Sequence, residues 1–408
     1  MPRQRRIRDA YRFAGFRTSE KVHGLFGDPI AVIIALARQR KKTACGICGR
    51  WCRSFYDKKI RRIRDLSCGD RRVYLELEVR RVVCRNCGKV KREKLAWLAD
   101  NPFYTKRFAF FVGRRCRAST IKDVAKELHL DWETVKQLDK QYMREQLRRR
   151  GTPSPHVIGV DEVSIRKGHT YRTVVSDLVR RRPIWFGGKD RSEESLDEFF
   201  KWLGPKKNKQ IRLAVMDMWK PFRNSTLKIG NAPQASILFD KFHVLRHLGE
   251  ALDKVRKSEY ARLTGKGRRF IKGQKYALLA HPGNLSPNGR RTLKALLAAN
   301  KRLNIAYLLK ESFGQLWSYR RQVWAWRFFE NWRGSLNWQR LTSYQKFAEM
   351  IKRHWEGIAA FCRPENKVAL GFVEGLNNKI RVIQRRAYGI RDEEYLRLKI
   401  LTCMLPAI

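Results

Sequence analysis

Two short cysteine pairs constrain the fold of this chain more than any other feature of its sequence. Two residues separate Cys45 from Cys48 and Cys84 from Cys87, and a glycine follows each pair. This spacing is typical of knuckles that present four thiolates to one tetrahedral Zn²⁺ ion, although two unrelated pairs of buried cysteines are the alternative. Because four thiolates leave no position for water, we expect such a zinc ion to be structural.

The segments that flank the cysteine pairs have β-strand character. Apolar and polar residues alternate through RRVYLELEVRRVVC, which predicts a half-buried strand that delivers Cys84. The β-branched run AVIIALARQRKK predicts another strand before Cys45. Nine cysteines, an odd number, favour metal ligation over a disulfide framework. Cys52 and Cys68 are spare candidates, and we expect the remaining three in the core: Cys116, Cys362 and Cys403.

The strong positive charge of the chain restricts its partners. Among 408 residues, 90 are lysine or arginine and 38 are acidic, which gives a formal net charge of +52. A compact protein with so much like charge repels itself unless a polyanion neutralises it, so we expect nucleic acid as the partner. A membrane surface is the competing interpretation, but the sequence has neither a lipidation signal nor a strongly amphipathic basic helix. It also lacks an apolar run long enough to span a membrane, and we expect a soluble cytoplasmic protein.

From Ser119 to Leu147 the spacing of apolar residues becomes helical. It predicts two helices separated by a turn at His129, with Asp131 as the cap of the second helix. This pattern is typical of a helix-turn-helix, whose second helix enters the major groove of DNA, and also of a generic helical hairpin. We expect three exposed side chains of the second helix to contact base edges or phosphates: Lys136, Gln137 and Lys140.

The basic segment RRRGTPSP, residues 148–155, predicts a linker between domains. The runs that follow have the order strand, strand, strand, helix, strand, helix, strand, which predicts an α/β fold. From His243 to about Glu365 the sequence is helical, basic and rich in tryptophan. We expect these tryptophans mainly in the core, with contact to DNA or a second subunit as the alternative: Trp317, Trp324, Trp326 and Trp332.

Two acidic residues lie where apolar strands end. Asp161 follows VIGV, and Asp217 follows RLAVM. A carboxylate in such a place is costly to bury unless it is paired, hydrogen-bonded or bound to a cation. Two Mg²⁺ ions about 3.5–4 Å apart can stabilise the attacking and the leaving oxygen of a phosphodiester. Such a pair of ions needs carboxylates of this kind as ligands. Asp240 also ends an apolar strand and is the main rival of Asp217, whereas Glu162 points to the opposite face of its strand.

A third acid, Glu374, follows the apolar run VALGFV. On a helix, an acid, two amides and a base would share one face: Glu374, Asn377, Asn378 and Arg381. Such a face could bind a metal ion and a nucleic-acid backbone. His243 and His247, four residues apart, are an alternative zinc-hydrolase pair. They lack the HExxH pattern, which argues against that chemistry.

Together these motifs resemble those of a known family, the bacterial insertion-sequence transposases of the Asp-Asp-Glu type, specifically the ISL-three group. The resemblance covers nearly the whole chain in the same order: CGIC, CRNC, the helix-turn-helix, GVDEVSIRKGHTY, AVMDMWKPF, FDKFHVLRHLGEALDKVR and VEGLNNKIRVIQRRAYGIRD. It implies an α/β multidomain protein in which a small zinc-binding β domain and a helix-turn-helix precede an RNase H-like catalytic domain with a large all-helical insertion. It also implies that three acids are catalytic and bind two Mg²⁺ or Mn²⁺ ions: Asp161, Asp217 and Glu374.

We therefore predict five segments along the chain. Residues 1–100 form the zinc-binding domain and 101–150 the helix-turn-helix domain. The RNase H-like catalytic domain takes residues 156–245 and 364–408, and the helical insertion takes residues 246–363.

The activity expected from the resemblance is DNA transposition. The N-terminal modules bind the terminal inverted repeats of double-stranded DNA, and the acids support cleavage that frees a 3′ hydroxyl and its transfer to target DNA. Assembly on two transposon ends implies a homodimer or larger complex, associated with the bacterial nucleoid. A DNA-binding regulator or a nuclease derived from a transposase is the alternative. Four basic residues after the third acid are expected to contact DNA: Lys379, Arg381, Arg385 and Arg386.

Overall fold

The computed structural model of the chain describes residues 7–166, 170–369 and 371–408. Parts of three predictions lie outside these described residues. They are the first six residues of the predicted zinc-binding domain, residues 167–169 of GVDEVSIRKGHTY and residue 370 of VALGFV. None of the helices in the described part of the chain is long and apolar enough to cross a membrane.

The chain divides into two compact units. The first unit comprises the residues up to Gly151 together with Arg385–Ile408, and the second comprises Thr152–Gln384. The first boundary falls inside the segment 148–155, which the sequence predicts as a linker. Within residues 364–408, which the sequence assigns to the catalytic domain, the segment from Arg385 onward packs in the first unit.

A β-rich region forms the N-terminal part of the first unit. β1, β2, β6 and β5 are neighbours in that order in one sheet, β7 pairs with β6, and β3 and β4 form a separate hairpin. Val73, Leu75, Leu77 and Val79 are buried, so the predicted alternation along β6 is confirmed. The strands are β1 (Phe16–Leu25), β2 (Asp28–Arg38), β3 (Thr43–Ala44), β4 (Trp51–Cys52), β5 (Asp57–Arg64), β6 (Arg72–Cys84) and β7 (Lys89–Arg92).

Three helices follow the sheet: α1 (Lys106–Arg115), α2 (Ile121–Leu128) and α3 (Trp132–Arg150). His129 ends α2 with a positive φ of 51°, which reverses the chain direction between the two helices. Asp131 caps α3, since its side chain accepts hydrogen bonds from the backbone N–H groups at the start of that helix. The two predicted helices, the turn and the cap are thus confirmed.

A second five-stranded sheet organises the second unit. Its strand order is β10, β9, β8, β11, β12, in which β8, β9 and β10 are antiparallel and β8, β11 and β12 are parallel. The apolar runs are buried because helices cover the sheet, as expected for parallel strands. The strands are β8 (Val157–Arg166), β9 (Thr170–Asp177), β10 (Arg182–Gly187), β11 (Leu213–Met216) and β12 (Ser236–Phe239).

The remaining regular elements described in the second unit are helical. Helices α4 and α5 connect β10 to β11, and α6 connects β11 to β12. From α7 to α14 the described chain forms helices without a strand, as the sequence predicts. The helices are α4 (Glu193–Leu203), α5 (Pro205–Asn208), α6 (Lys220–Leu227), α7 (Lys241–Arg262), α8 (Gly265–Ile271), α9 (Lys275–Leu279), α10 (Pro287–Ala299), α11 (Lys301–Phe313), α12 (Gln322–Gly334), α13 (Thr342–Arg353), α14 (Trp355–Ala359) and α15 (Gly371–Arg386).

The tryptophans of this helical region divide into two groups. Trp317 and Trp332 are buried in the main core of the second unit, and Trp326 packs against that core. Trp324 is half exposed, with the guanidinium of Arg327 over its ring. The expectation of a core role is confirmed for the first three and wrong for Trp324.

The last helix, α16 (Glu393–Thr402), belongs to the first unit. Tyr395 and Leu398 join the same buried cluster as Leu138 and Tyr142 of α3. Asp139 of α3, buried at 1% exposure, accepts a hydrogen bond from the Tyr395 hydroxyl at 2.6 Å. The C-terminal segment is therefore part of the helix-turn-helix core.

Candidate catalytic site and zinc centre

The four predicted cysteine ligands come together in the first unit. The sulfur atoms of Cys45, Cys48, Cys84 and Cys87 all lie within 4.8 Å of one another. Cys84 ends β6, while the hairpin of β3 and β4 carries the first pair. This grouping has the composition of a structural Cys₄ zinc site, which supports the predicted zinc.

The glycine after each pair shapes its knuckle. Gly49 and Gly88 have positive φ values of 74° and 63°, and each donates its N–H to the carbonyl of the first cysteine of its pair. The backbone N–H of Arg50 lowers the pKa of Cys48 to about 6, which favours its thiolate at neutral pH. Thiolate is the form that binds zinc, so this local geometry favours the ligand form of Cys48.

The other cysteines have different environments. Cys52 is partly buried against the four-cysteine cluster, and burial raises the pKa of its thiol. Cys68 is exposed. Cys116 and Cys362 are buried, as the sequence predicts, whereas Cys403 is only partly buried.

Three aspartates mark the carboxyl ends of the parallel strands in the second unit. β11 pairs with β8 so that Val215 lies opposite Gly159, and continuing this register by two residues brings Asp217 beside Asp161. The pairing of β11 with β12 places Asp240 next to Asp217 in the same way. We call this group of Asp161, Asp217 and Asp240 the acidic edge. Its position explains why acids follow apolar runs, since parallel strands end together at one side of a sheet.

Asp161 is partly buried and accepts two hydrogen bonds. Its Oδ1 accepts a hydrogen bond from the backbone N–H of Glu162 at 2.8 Å. Its Oδ2 accepts a hydrogen bond from Nδ2 of Asn377 at 2.5 Å. Burial nevertheless raises the pKa of Asp161, and the neighbouring charge of Asp217 adds to that effect. A cation bound here would stabilise the ionised carboxylate.

Asp217 is held by a histidine. Nδ1 of His243 lies 3.3 Å from Asp217 Oδ2, and the N–H of Met218 donates to Asp217 Oδ1 at 2.6 Å. Burial alone would raise the pKa of Asp217, but the hydrogen bond and charge of His243 outweigh it and lower that pKa. The pKa of His243 is raised in turn, because its acidic partners outweigh its own burial.

Asp240 and Glu162 have structural partners of their own. Asp240 caps α7 by accepting the N–H of Phe242 at 2.9 Å, and burial raises its pKa. Glu162 forms an ion pair with Arg191, whose Nη2 lies 2.5 Å from Glu162 Oε1. Asp240 remains close enough to interact with Asp161 and Asp217, so it stays a rival of Asp217.

Glu374 lies in the first turn of α15. The preceding Val373 packs closely against Gly159 of β8. A Cβ atom added to Gly159 would lie only 3.0 Å from Cγ2 of Val373. One turn later Asn377 donates a hydrogen bond to Asp161, so the part of α15 that carries Glu374 packs beside β8. The Glu374 side chain is exposed, and neither an ion pair nor a hydrogen bond joins it to another described residue. Among the described residues, the cysteines alone form a group of three or more metal-ligating side chains within 4.8 Å, so the three predicted acids do not form such a close cluster.

The alternative zinc-hydrolase pair has other partners. His243 contacts Asp217, and Nδ1 of His247 lies 3.4 Å from Oε2 of Glu250. Within the described chain these histidines do not belong to a metal-ligating group.

The lysines predicted to face DNA from α3 are engaged with the C-terminal segment instead. Nζ of Lys140 lies 2.8 Å from a carboxylate oxygen of Asp392 and 3.0 Å from one of Glu394. Nζ of Lys136 lies 2.9 Å from Asp392. Lys140 is buried at 6% exposure, so the expectation of exposed lysines is wrong for Lys140 and only partly met by Lys136. Gln137 is exposed, and its Nε2 donates to Glu133 at 2.7 Å.

The basic residues predicted on α15 are all exposed: Lys379, Arg381, Arg385 and Arg386. Arg381 donates to Oδ1 of Asn378 at 3.1 Å, and Arg386 donates to the carbonyl of Arg117 at 3.0 Å. These single contacts leave most guanidinium donors available for phosphate.

Sequence reasoning missed two partnerships in these sites. The i+3 spacing put Asn377 on the face of Glu374, but it gave no sign that Asn377 binds Asp161. Nothing in the sequence pattern linked α3 to acids 250 residues later, since only the folded chain brings Asp392 and Glu394 to Lys140.

Comparisons with known proteins match three regions of the chain. A family model for a transposase of the DDE type, ISL3 group, matches residues 158–400. The helix-turn-helix domain of transposase family ISL3 matches residues 93–143, and the zinc-finger of transposase IS204/IS1001/IS1096/IS1165 matches residues 41–87. These regions follow one another in the order that the motifs predict.

Whole-length relatives agree with these matches. The transposase for insertion sequence element IS1001 of Bordetella parapertussis is 36% identical over 371 residues, which is 90% of each chain. The transposase for insertion sequence element IS1557 of Mycobacterium tuberculosis is 29% identical over 401 residues, 91% of this chain and 88% of its own.

Proposed function

The chain belongs to the ISL3 family of insertion-sequence transposases, and from this membership we propose that it cleaves DNA at transposon ends and joins them to target DNA. Asp161, Asp217 and Glu374 form the catalytic triad in this proposal. The proposal is supported by the pairing of β8 with β11, whose register continues to Asp161 and Asp217, and by the hydrogen bond from Asn377, one helical turn after Glu374, to Asp161.

The proposed catalytic domain is RNase H-like. Three antiparallel strands continued by two parallel ones, in the order β10, β9, β8, β11, β12, support this assignment. The helices from α7 to α14 separate β12 from α15 in sequence and form the proposed insertion. Ligands of open α/β sheets bind outside the carboxyl ends of the strands, which is where the acidic edge lies.

The residues of the acidic edge fit a hard divalent cation. Their donor atoms are carboxylate oxygens, Asp161 is desolvated without a full charge partner, and Oδ1 of Asn377 is buried without a described donor. We propose that Asp161, Asp217 and Glu374 hold two Mg²⁺ or Mn²⁺ ions. When bound, such ions activate a water or hydroxyl nucleophile and stabilise the leaving oxygen of a phosphodiester.

The remaining steps belong to side chains of the chain itself. Asn377 and the Glu162 N–H fix the carboxylate of Asp161, while His243 fixes that of Asp217. Exposed arginines and lysines of α15 would hold the DNA backbone beside the acids. Orientation of this kind lowers the entropic cost of reaction without a covalent enzyme intermediate.

Recognition of the ends is assigned to the first unit. The zinc-binding region and helix-turn-helix would bind the terminal inverted repeats, with Gln137 as the candidate for base contact on α3. Because two ends must be joined in one reaction, a homodimer or larger assembly on double-stranded DNA is part of the proposal.

A cleavage and joining assay tests this function. Full-length protein is incubated with Mg²⁺ or Mn²⁺, a DNA fragment carrying the inverted repeats that flank its gene, and a target plasmid. We expect nicking at the repeat and joining of the cut end to the plasmid, and loss of at least about 1000-fold in rate for Asp161→Asn.

The outcomes separate the alternatives. Binding without cleavage, unaffected by Asp161→Asn, would identify a DNA-binding regulator. Cleavage without joining would identify a nuclease. Glu349→Gln, which removes an exposed acid of α13 paired with Arg333, is the matched control and should cleave at the wild-type rate.

A further inference from the structure

The side chain of Asn377 is bound at one end only. Its Nδ2 donates to Asp161 Oδ2 at 2.5 Å, whereas its Oδ1 is buried and receives no hydrogen bond from any described residue. The amide cannot be reversed, because exchange of its two ends would set two oxygens against each other at that distance. A buried carbonyl oxygen without a donor is unfavourable, so this atom calls for a functional explanation.

The packing of α15 fixes where that oxygen lies. Val373 packs against Gly159, two residues before Asp161 on β8. Asn377 follows Val373 by about one helical turn and Glu374 by three residues, so Asn377 and Glu374 share a face of α15. Because Nδ2 of the same amide contacts Asp161, the unbound Oδ1 also lies close to the Asp161 carboxylate.

We infer that Asn377 is a further ligand of the divalent cation at the acidic edge, with Nδ2 orienting Asp161 and Oδ1 binding the ion. This inference rests on the proposed function, because it needs a cation held by Asp161. Amide oxygens are hard neutral ligands that Mg²⁺ and Mn²⁺ accept.

The neutral amide also suits this position for an electrostatic reason. A fourth carboxylate next to Asp161 would add like-charge repulsion to an acid that is already desolvated. An amide supplies an oxygen donor without that repulsion, and its N–H stabilises the neighbouring carboxylate.

Two substitutions distinguish the two ends of the side chain. Asn377→Ala removes both the oxygen and the donor, and we expect the Kd for Mn²⁺ to rise about 10- to 100-fold. Asn377→Asp keeps an oxygen but loses the donor, so the Kd for Mn²⁺ should stay close to that of the wild type. Cleavage at saturating Mn²⁺ should still fall in Asn377→Asp, because Asp161 loses the N–H that orients it.

The measurement uses the full-length chain without DNA. Electron paramagnetic resonance of free Mn²⁺ reports binding directly, independently of activity, and a DNA cleavage assay over a range of Mn²⁺ concentrations follows. Asn208 offers a matched control in the same unit. It is also buried, donates Nδ2 to the carbonyls of Phe200 and Gly230, and has an Oδ1 without a described donor.

The control separates ion binding from folding. Asn208→Ala should lower the Tm while leaving the Kd for Mn²⁺ unchanged. Unchanged Mn²⁺ affinity in Asn377→Ala would overturn the inference. Equal loss of affinity in Asn377→Ala and Asn377→Asp would overturn the ligand role of Oδ1 and leave Asn377 as a positioning residue. If Asp161→Asn itself bound Mn²⁺ and cleaved DNA like the wild type, the proposed function would fail instead.

Discussion

The four-cysteine centre and Lys140 in the first unit have surroundings very different from those of the acidic edge in the second unit. In the first unit, four thiols lie within 4.8 Å of one another, and Lys140 is buried in an ion pair with Asp392. At the acidic edge of the second unit, Asp161 is desolvated, Oδ1 of Asn377 has no described donor, and Glu374 is exposed. The four thiols and Lys140 therefore have partners within the protein. Oδ1 of Asn377 and the carboxylate of Glu374 have none among the described residues.

This difference separates groups that hold the fold from groups that hold a ligand. A structural site gains stability by closing every bond within the protein or around one buried ion. A catalytic site keeps polar groups under-satisfied, at a cost in stability, so that substrate and cofactor can complete them. Substitutions in the first unit should therefore act mainly on folding, and substitutions at the acidic edge should act mainly on ligand binding and activity.

Loss of one cysteine ligand should have the largest effect. Cys84→Ala removes a thiolate from a site whose zinc binding contributes about 10–16 kcal/mol to folding, so the zinc-binding region should unfold. We expect loss of zinc in elemental analysis and loss of binding to the inverted repeats in a gel-shift assay. Cys52→Ala is the matched control, since Cys52 packs against the cluster but is not one of its four members. Normal zinc content in Cys84→Ala would contradict the ligand assignment.

The same substitution should have opposite effects on stability at Asp139, which is buried, and at Asp161, which is partly buried. Asp139→Asn removes the charge partner of Lys399, whose Nζ lies 2.7 Å away, and should lower the free energy of unfolding by about 2–4 kcal/mol. Asp161→Asn should leave that free energy unchanged or raise it, because burial disfavours the ionised Asp161 carboxylate. Differential scanning calorimetry at neutral pH compares them. Equal destabilisation would show that Asp161 serves the fold as Asp139 does.

The pH dependence of this comparison has a definite sign. Since burial raises the pKa of Asp161, the folded protein binds a proton there more readily than the unfolded chain. Any advantage of Asp161→Asn should be largest at neutral pH, diminish as the pH falls through the raised pKa, and vanish below about pH 4, where the unfolded carboxyl is also protonated. An advantage that grew on acidification would contradict the assigned direction.

The smallest expected effect concerns DNA binding by single cations. Arg381 is exposed with one hydrogen bond, so Arg381→Gln should weaken binding and reduce the slope of log K against log salt concentration by about 1. Lys136 is committed to Asp392, so Lys136→Gln should change that slope little. Fluorescence anisotropy at several salt concentrations measures both. A larger loss for Lys136→Gln would mean that DNA competes with Asp392 for this lysine.

Local pattern was sufficient where one short segment carries the signal. The alternation along RRVYLELEVRRVVC predicted β6, and Asp131 was recognised as the cap of α3. The spacing within each cysteine pair predicted a metal-binding knuckle, because a knuckle is formed by four consecutive residues. These features depend on neighbours in sequence, and hydrophobic periodicity and hydrogen-bonding side chains report them directly.

Pattern was insufficient where contacts join distant segments. The sequence placed residues 364–408 in one domain, yet the chain from Arg385 packs with α3, because Tyr395 and Leu398 complete an apolar core there. It also predicted an exposed Lys140, since a charged residue on a helix is usually solvated. The acids that pair with it lie more than 250 residues away.

The sequence by itself determined the kinds of chemistry that this protein contains: a four-thiolate centre, a helix-turn-helix, three acids at the ends of apolar segments and a large excess of positive charge. Tertiary structure alone decided which of those groups are paired within the protein and which can still bind a ligand. It buried Lys140 against Asp392, and it set Asn377 against Asp161 with its oxygen unbound. The physical reason is that composition and spacing fix what a side chain can bind, whereas burial and the partners brought to it by long-range packing fix what it does bind.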